Sequence, residues 1–199
     1  MEAASSPADP AAGYPARLTI AYEEQLNRWL PLVKWLLLIP HYIALFILYF
    51  AAWFALIGAA FVVLFTGRYP PGLFGFQAGV IRWTMRVYAY GDLMTDHYPP
   101  FSLEKDPNSP VQLEIEYPEE VERWRPFVAW LLAIPYMIAV SIIHYIAALL
   151  VFFAFFTILF TRRFPRGMFD IVEVALRWAV RGWAYAAFMV TRYPPWVWG

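Results

Sequence analysis

Residues 36–66 read LLLIPHYIALFILYFAAWFALIGAAFVVLFT, 31 positions without one Asp, Glu, Lys or Arg. A second such run, residues 131–161 (LLAIPYMIAVSIIHYIAALLVFFAFFTILFT), follows at a spacing of 95 residues. Neither could stay exposed in water, and a chain of 199 residues has too little other mass to wrap both. Such runs fit a bilayer, where an uninterrupted apolar surface carries no penalty.

The composition agrees. Hydrophobic residues make up 61% of the chain, where about half is usual. The formal net charge is zero, so no global field steers nucleic acid, which is not an expected partner. Ten Trp and thirteen Tyr suit side chains at headgroup level. There is no cysteine, which excludes disulfides, thiolate chemistry and Cys-ligated metals. The opening stretch, MEAASSPADPAAGYP, has no basic segment and no apolar core of its own. It reads as a disordered tail over residues 1–16 rather than a secretory signal, and leaves the first apolar run to act as an uncleaved membrane signal.

The chain is also a duplication. Residues 17–100 and 112–195 align without a gap at the same offset of 95, with roughly 35 of 84 positions identical. The first unit is residues 17–100, the linker 101–111 and the second unit 112–199. Each unit opens on period-2 alternation, LTIAY and LEIEY, the pattern of a half-buried strand. An acidic segment bearing Arg and Trp follows and is expected to open an interfacial helix. Pro40 and Pro135 are expected to end that helix or to start the next. The 27 residues from Pro40 to Thr66 would then extend roughly 40 Å. After a break at R-[YF]-P-x-G comes a helix over about 73–96, and the unit closes on YPP.

Three membrane arrangements compete. The long runs cross singly, giving inverted units; each unit crosses twice, giving four spans; or each run returns as a re-entrant hairpin. Basic residues flank both runs at both ends, which disfavours single crossings. Two Arg per short helix disfavour four spans unless paired. The strand-like segments, together with YPPFSL and the YPPW tail, favour an even number of crossings, with one small sheet on one side. The expected fold is therefore an all-α integral membrane protein with short strands outside the bilayer and four embedded segments, the other two arrangements remaining open.

Arg82 and Arg86, with their counterparts Arg177 and Arg181, lie one turn apart on the short helices. Together with Arg68 and Arg163 they form the candidate anion or lipid-headgroup set, because guanidinium forks suit phosphate. The plainer alternative is Arg snorkelling from an amphipathic helix. His41 and His144 are embedded polar residues; one per run argues for polar anchoring over haem, so no cofactor or metal is expected. Asp92, Asp96, Asp170 and Glu173 would be a proton path only if embedded together, and Asp92 and Asp96 face Ala187 and Thr191 in the repeat. No phosphate loop, nucleophile triad or metal-spaced cluster is present.

The strings LFTGRYPPGLF (64–74), VIRWTMRVYAYGDLMTDHYPPFSL (80–103) and KWLLLIPHYIAL (34–45) resemble the bacterial membrane family called domain of unknown function 4389. The first unit is similar over nearly its whole length. The second departs from the pattern at Arg162, Arg166 and Gly182. The resemblance implies a membrane location and no activity. The functional expectation is a non-enzymatic scaffold or accessory subunit of the cell (cytoplasmic) membrane. Its partners would be membrane lipids, other membrane subunits or further copies of itself. The alternative is a carrier or channel for an anionic lipid or small anion.

Overall fold

The computed structural model describes residues 13–198, so most of the expected N-terminal tail lies outside the described residues. In chain order the elements are β1 (Ala16–Ile20), α1 (Leu30–Thr66), α2 (Pro71–Gly91), β2 (Val111–Ile115), α3 (Arg125–Thr161) and α4 (Arg166–Ala186). Helices dominate, with one two-stranded sheet. Both expected strands form, shifted by two residues towards the N-terminus. YPPFSL and the YPPW tail do not join them; they lie across the short helices instead.

α1 and α3 are each 37 residues long, about 55 Å. Each has a proline in its first turn, where the missing N–H has no intrahelical partner to lose. The expected break at Pro40 and Pro135 does not occur, and both prolines sit inside continuous helix. A proline in that position frees carbonyls one turn before it. At α1 the Tyr98 hydroxyl donates to the Leu37 carbonyl at 3.2 Å, so a group near the proline gains a partner from elsewhere. The acidic segments do not form a separate helix; α1 and α3 begin immediately after the Trp that ends each of them.

The buried positions of α1 are Pro31, Lys34, Leu38, His41, Leu45, Ala52, Ala59 and Val63. Those of α3 follow the same course from Arg125 through Tyr136 to Ile158. Steps of three, four or multiples of them make one narrow seam. The surface outside the seam is mostly apolar and much of it is exposed, including Phe46, Trp53 and Phe65 on α1 and Tyr145 and Phe160 on α3. Both helices are long and apolar enough to cross a membrane by length and composition. Only 17% and 22% of their most apolar windows is buried, so most of that apolar surface is left uncovered by the rest of the chain. Every Ser and Thr on them bonds back to its own helix: Thr66 to Val62, Ser141 to Met137, Thr157 to Ala154 and Thr161 to Thr157. That leaves no Ser or Thr hydroxyl on them dependent on water.

The two units are related by a pseudo-twofold axis and are intertwined. β1 pairs antiparallel with β2, with Leu18 opposite Leu113, its own counterpart at the offset of 95. The axis therefore runs through that pair, perpendicular to the sheet. Tyr88 and Trp183, also counterparts, meet with ring centroids 6.3 Å apart. The segment after each strand crosses to the other unit. The Tyr22 hydroxyl donates to the Phe164 carbonyl at 2.6 Å, and the Tyr117 hydroxyl donates to the Tyr69 carbonyl. Leu26 N donates to Arg162 O and Val121 N to Gly67 O, each at 2.8–2.9 Å. Tyr22 rests edge-on against Phe169, and Tyr117 against Phe74.

Those last backbone bonds set the direction of the long helices. Leu26 lies just before α1 and Arg162 just after α3; Val121 lies just before α3 and Gly67 just after α1. The start of each long helix is thus at the end of the other. With equal lengths, α1 and α3 run antiparallel, across the pseudo-twofold axis.

Three layers result. The sheet packs through β1 on α4 and through β2 on α2, and the short helices pack in turn on α3 and α1. On α4, Glu173 and Arg177 reach the strand, whereas Gly182, nine residues further and half a turn round, touches α3. A Cβ at Gly182 would stand 2.6 Å from Met137 Sδ and 3.2 Å from the Tyr136 ring, so glycine lets these side chains close onto α4. The sheet buries Ala16, Leu18, Ile20, Val111 and Leu113 against the short helices. Its outer face carries Arg17, Thr19 and Glu114. One end of the axis is polar, and the other is the apolar surface of the long helices.

Candidate functional site

Arg82, Arg86 and Arg181 are buried, and main-chain carbonyls accept from their guanidinium groups. Arg82 Nη1 reaches Leu103 O at 2.6 Å, and Arg86 reaches Ser102 O at 3.4 Å and Glu104 O at 3.0 Å. In the second unit Arg181 Nη1 reaches Val197 O at 3.4 Å, the counterpart of the Arg86 bond to Ser102. These side chains strap the segments after YPP across α2 and α4. Gly79 admits the strap: a Cβ there would lie 2.8 Å from Leu103 Cβ and 3.0 Å from Leu103 O. Arg177 serves the sheet. Its Nε donates to Leu18 O at 3.0 Å and its Nη2 to Glu173 at 2.8 Å, while Glu173 accepts from Ile20 N at 3.0 Å. The pair satisfies the outer edge of β1. Arg68 and Arg163 stand apart from these four, exposed at the two hairpin turns and at opposite ends of the molecule.

His41 is fully buried in an aromatic box. Its Nδ1 accepts from Trp83 Nε1 at 3.1 Å, and its ring stacks on Phe101 with centroids 4.0 Å apart. Its counterpart Tyr136 lies in the matching box against Trp178 and Trp196. Both boxes clamp the segment after YPP. His144 sits elsewhere, on α3, with Nδ1 3.3 Å from Val140 O.

The acids are dispersed. Asp96 pairs with Lys34 at 2.9 Å, Glu173 with Arg177, and Asp170 approaches Arg166 at 3.7 Å on the surface. Lys34 is 1% exposed, donates also to Thr95 O at 2.7 Å and lies 4.6 Å from the Tyr90 ring centroid. The second unit places Arg125 over the counterpart ring of Tyr185 instead, at 5.6 Å, and ties it to Glu122 at 2.6 Å. Each long helix thus has a cation near its start, set over the same tyrosine of its unit but carried one or two turns into the chain.

Asp92, which closes α2, is the exception. It has no hydrogen bond from its carboxyl and no ion pair among the described residues. It lines a cleft of about 470 Å³ between the units with Tyr88, Ser141, His144, Tyr145 and Trp183. A second cleft of about 510 Å³ shares Tyr88, Asp92 and Ala148 and continues between α1 and α3 past Trp35, Tyr42 and Phe155. Burial pushes the Asp92 carboxyl up to about 7. Sequence reasoning found Asp92 and His144 but had no means of placing them together, and it missed Tyr88, Tyr145 and Trp183 because single aromatics in apolar helices carry no local signal.

These features define a two-unit helical protein with an exchanged arm, one polar face and one apolar face. The family model for the domain of unknown function DUF4389 matches it twice, over residues 28–102 and 123–197. The chain belongs to that family and carries two tandem copies of its domain. Both matches leave out the strand and most of the arm that follows it. No curated protein and no solved structure matches the chain.

Proposed function

We propose that the protein is a monotopic membrane protein that occupies one leaflet and serves as a non-enzymatic scaffold there. In this reading α1 and α3 lie in the membrane plane, and α2, α4 and the sheet sit above them towards water. The observation that carries it is the polar face of the sheet at one end of the pseudo-twofold axis, with the long apolar helices at the other. If α1 and α3 instead stood along the membrane normal, the axis would lie in the membrane plane. Glu114 and the Arg17–Glu116 ion pair would then face lipid near mid-depth, where an unpaired charge costs at least about 2.5 kcal/mol. Laying the helices flat removes that cost and immerses their exposed Phe, Ile and Leu.

Two helices of about 55 Å inserted in a single leaflet add area to that leaflet alone, which favours convex curvature. Arg68 and Arg163, at the two ends, are the members of the anion-binding set positioned for headgroups. The basic residues that flank both apolar runs favour the cytoplasm for the polar side. Reconstitution into vesicles with and without anionic lipid tests this: tubulation or vesicle shrinkage that rises with protein density supports a scaffold, and unchanged vesicle shape removes it. The carrier alternative keeps the two-unit symmetry common to transporters in its favour. Anion flux measured in the same vesicles decides between them.

A further inference from the structure

We infer that the clefts joined at Asp92 bind the ammonium head of a cationic amphipath, with its hydrocarbon tail lying between α1 and α3. The groups that the clefts offer are acceptors and ring faces. Asp92 has a carboxyl without a partner. If the His144 Nδ1–H donates to Val140 O, its Nε2 is left as a lone-pair acceptor. Tyr88, Tyr145 and Trp183 supply aromatic surface, and an ammonium is attracted to such faces. No Arg lines either cleft. The one cation, Lys34, is committed to Asp96 and Thr95. A phosphate or carboxylate head would therefore meet an unpaired carboxyl and find no free positive charge.

The walls are otherwise apolar, and each volume falls in the range of small-molecule sites. The repeat supplies a control within the same chain. The counterpart cleft, about 310 Å³, contains Tyr49, Gln77, Thr84 and Trp183, but Ala187 stands at the position of Asp92. It has the aromatic and polar groups without the acid, so one amphipath is expected per chain.

The inference uses the leaflet reading only for the route of entry, and binding is measured on the full chain in digitonin micelles, where topology has no influence. Dodecylamine is titrated by calorimetry, with dodecanol and dodecanoate as controls of equal tail length. The expected result is one dodecylamine per chain, both controls at least tenfold weaker, and Asp92→Asn at least tenfold weaker for the amine. Dodecyltrimethylammonium separates two sources of the same charge. Equal affinity points to a methylated ammonium held by ring faces, and weaker affinity to a primary amine held through its N–H groups. Dodecanol binding as tightly as the amine, or Asp92→Asn binding the amine as the parent does, overturns the inference. If Asp92→Asn does not fold, Ala148→Trp fills the junction of the two clefts, and undiminished binding by that variant overturns it equally.

Discussion

Replacing Lys34 by methionine removes one half of a pair that the protein buries without needing the fold to contain it. The Lys34 side chain is 2% exposed and that of Asp96 22%. The substitution leaves the Asp96 carboxylate without its cation and strips the Thr95 carbonyl of its donor at 2.7 Å. Removing one partner of a buried pair costs about 3–5 kcal/mol. The partial exposure of Asp96, and the Asn27 N–H that it accepts, put the value at the lower end, about 3 kcal/mol. For a chain of this size that is a fall in Tm of about 6–12 °C. Adding Asp96→Asn to Lys34→Met should restore at least half of it, since methionine fills the volume and asparagine keeps the acceptor. The second unit already does without this pair, with Ala129 buried where the first has Lys34 and Thr191 where it has Asp96. Thermal unfolding in nonionic detergent reads all three proteins. A Lys34→Met shift below about 2 °C, or a double variant no better than the sum of the singles, would refute the reasoning.

Gly79→Ala should lower Tm by several degrees, because its methyl displaces the backbone at Leu103 and with it the Arg82 strap, whereas Gly75→Ala, with nothing within 4 Å, should be neutral or stabilising by about 0.5–1 kcal/mol. Both are read by the same melting assay. Chains divided after Lys105 should be recovered as a complex when the halves are co-expressed and should fail to fold singly, because each half is completed by the arm of the other. Tyr22→Phe plus Tyr117→Phe should weaken that complex by about 2 kcal/mol, measured by dilution-induced dissociation. Burial holds the Asp92 carboxyl near 7, above its ordinary 3.8, so its ionisation works against folding and the loss grows as pH rises between those values. Asp92→Asn should therefore melt close to the parent at pH 4 and clearly above it at pH 8.

The repeat, the two apolar runs and both strands are legible in the amino-acid sequence because each is a periodic local pattern. The arms are not. The Tyr22–Phe164 and Tyr117–Tyr69 bonds join residues 142 and 48 positions apart, and a tyrosine that donates across a unit boundary looks like any other tyrosine at a strand end. Arg82 and Arg86 suggested a phosphate because an Arg pair on one helix face is ambiguous until its acceptors are known; here the acceptors at hand are carbonyls of residues 102–104. Pro40 looked like a helix end because local sterics say so, but continuous packing along the seam outweighs one lost hydrogen bond. The crossing number stayed open for a related reason. Basic residues at both ends of each run are equally consistent with a hairpin and with a helix lying flat, and it is the unbroken helix over each run, invisible to local patterns, that speaks against the hairpin.

Orientation in the membrane is the claim on which the account turns, and single-cysteine labelling in intact cells and inverted vesicles addresses it directly in a chain that has no cysteine of its own. Gln25 and Arg163 mark one end of the antiparallel pair of long helices, Arg68 and Glu120 the other, and Glu114 the outer face of the sheet; all five are exposed. If α1 and α3 lie in one leaflet, all five positions react from the cytoplasmic side and none from outside. Labelling of Arg68 and Glu120 from the side opposite to Gln25 and Arg163 would mean that the long helices cross, and would contradict the account.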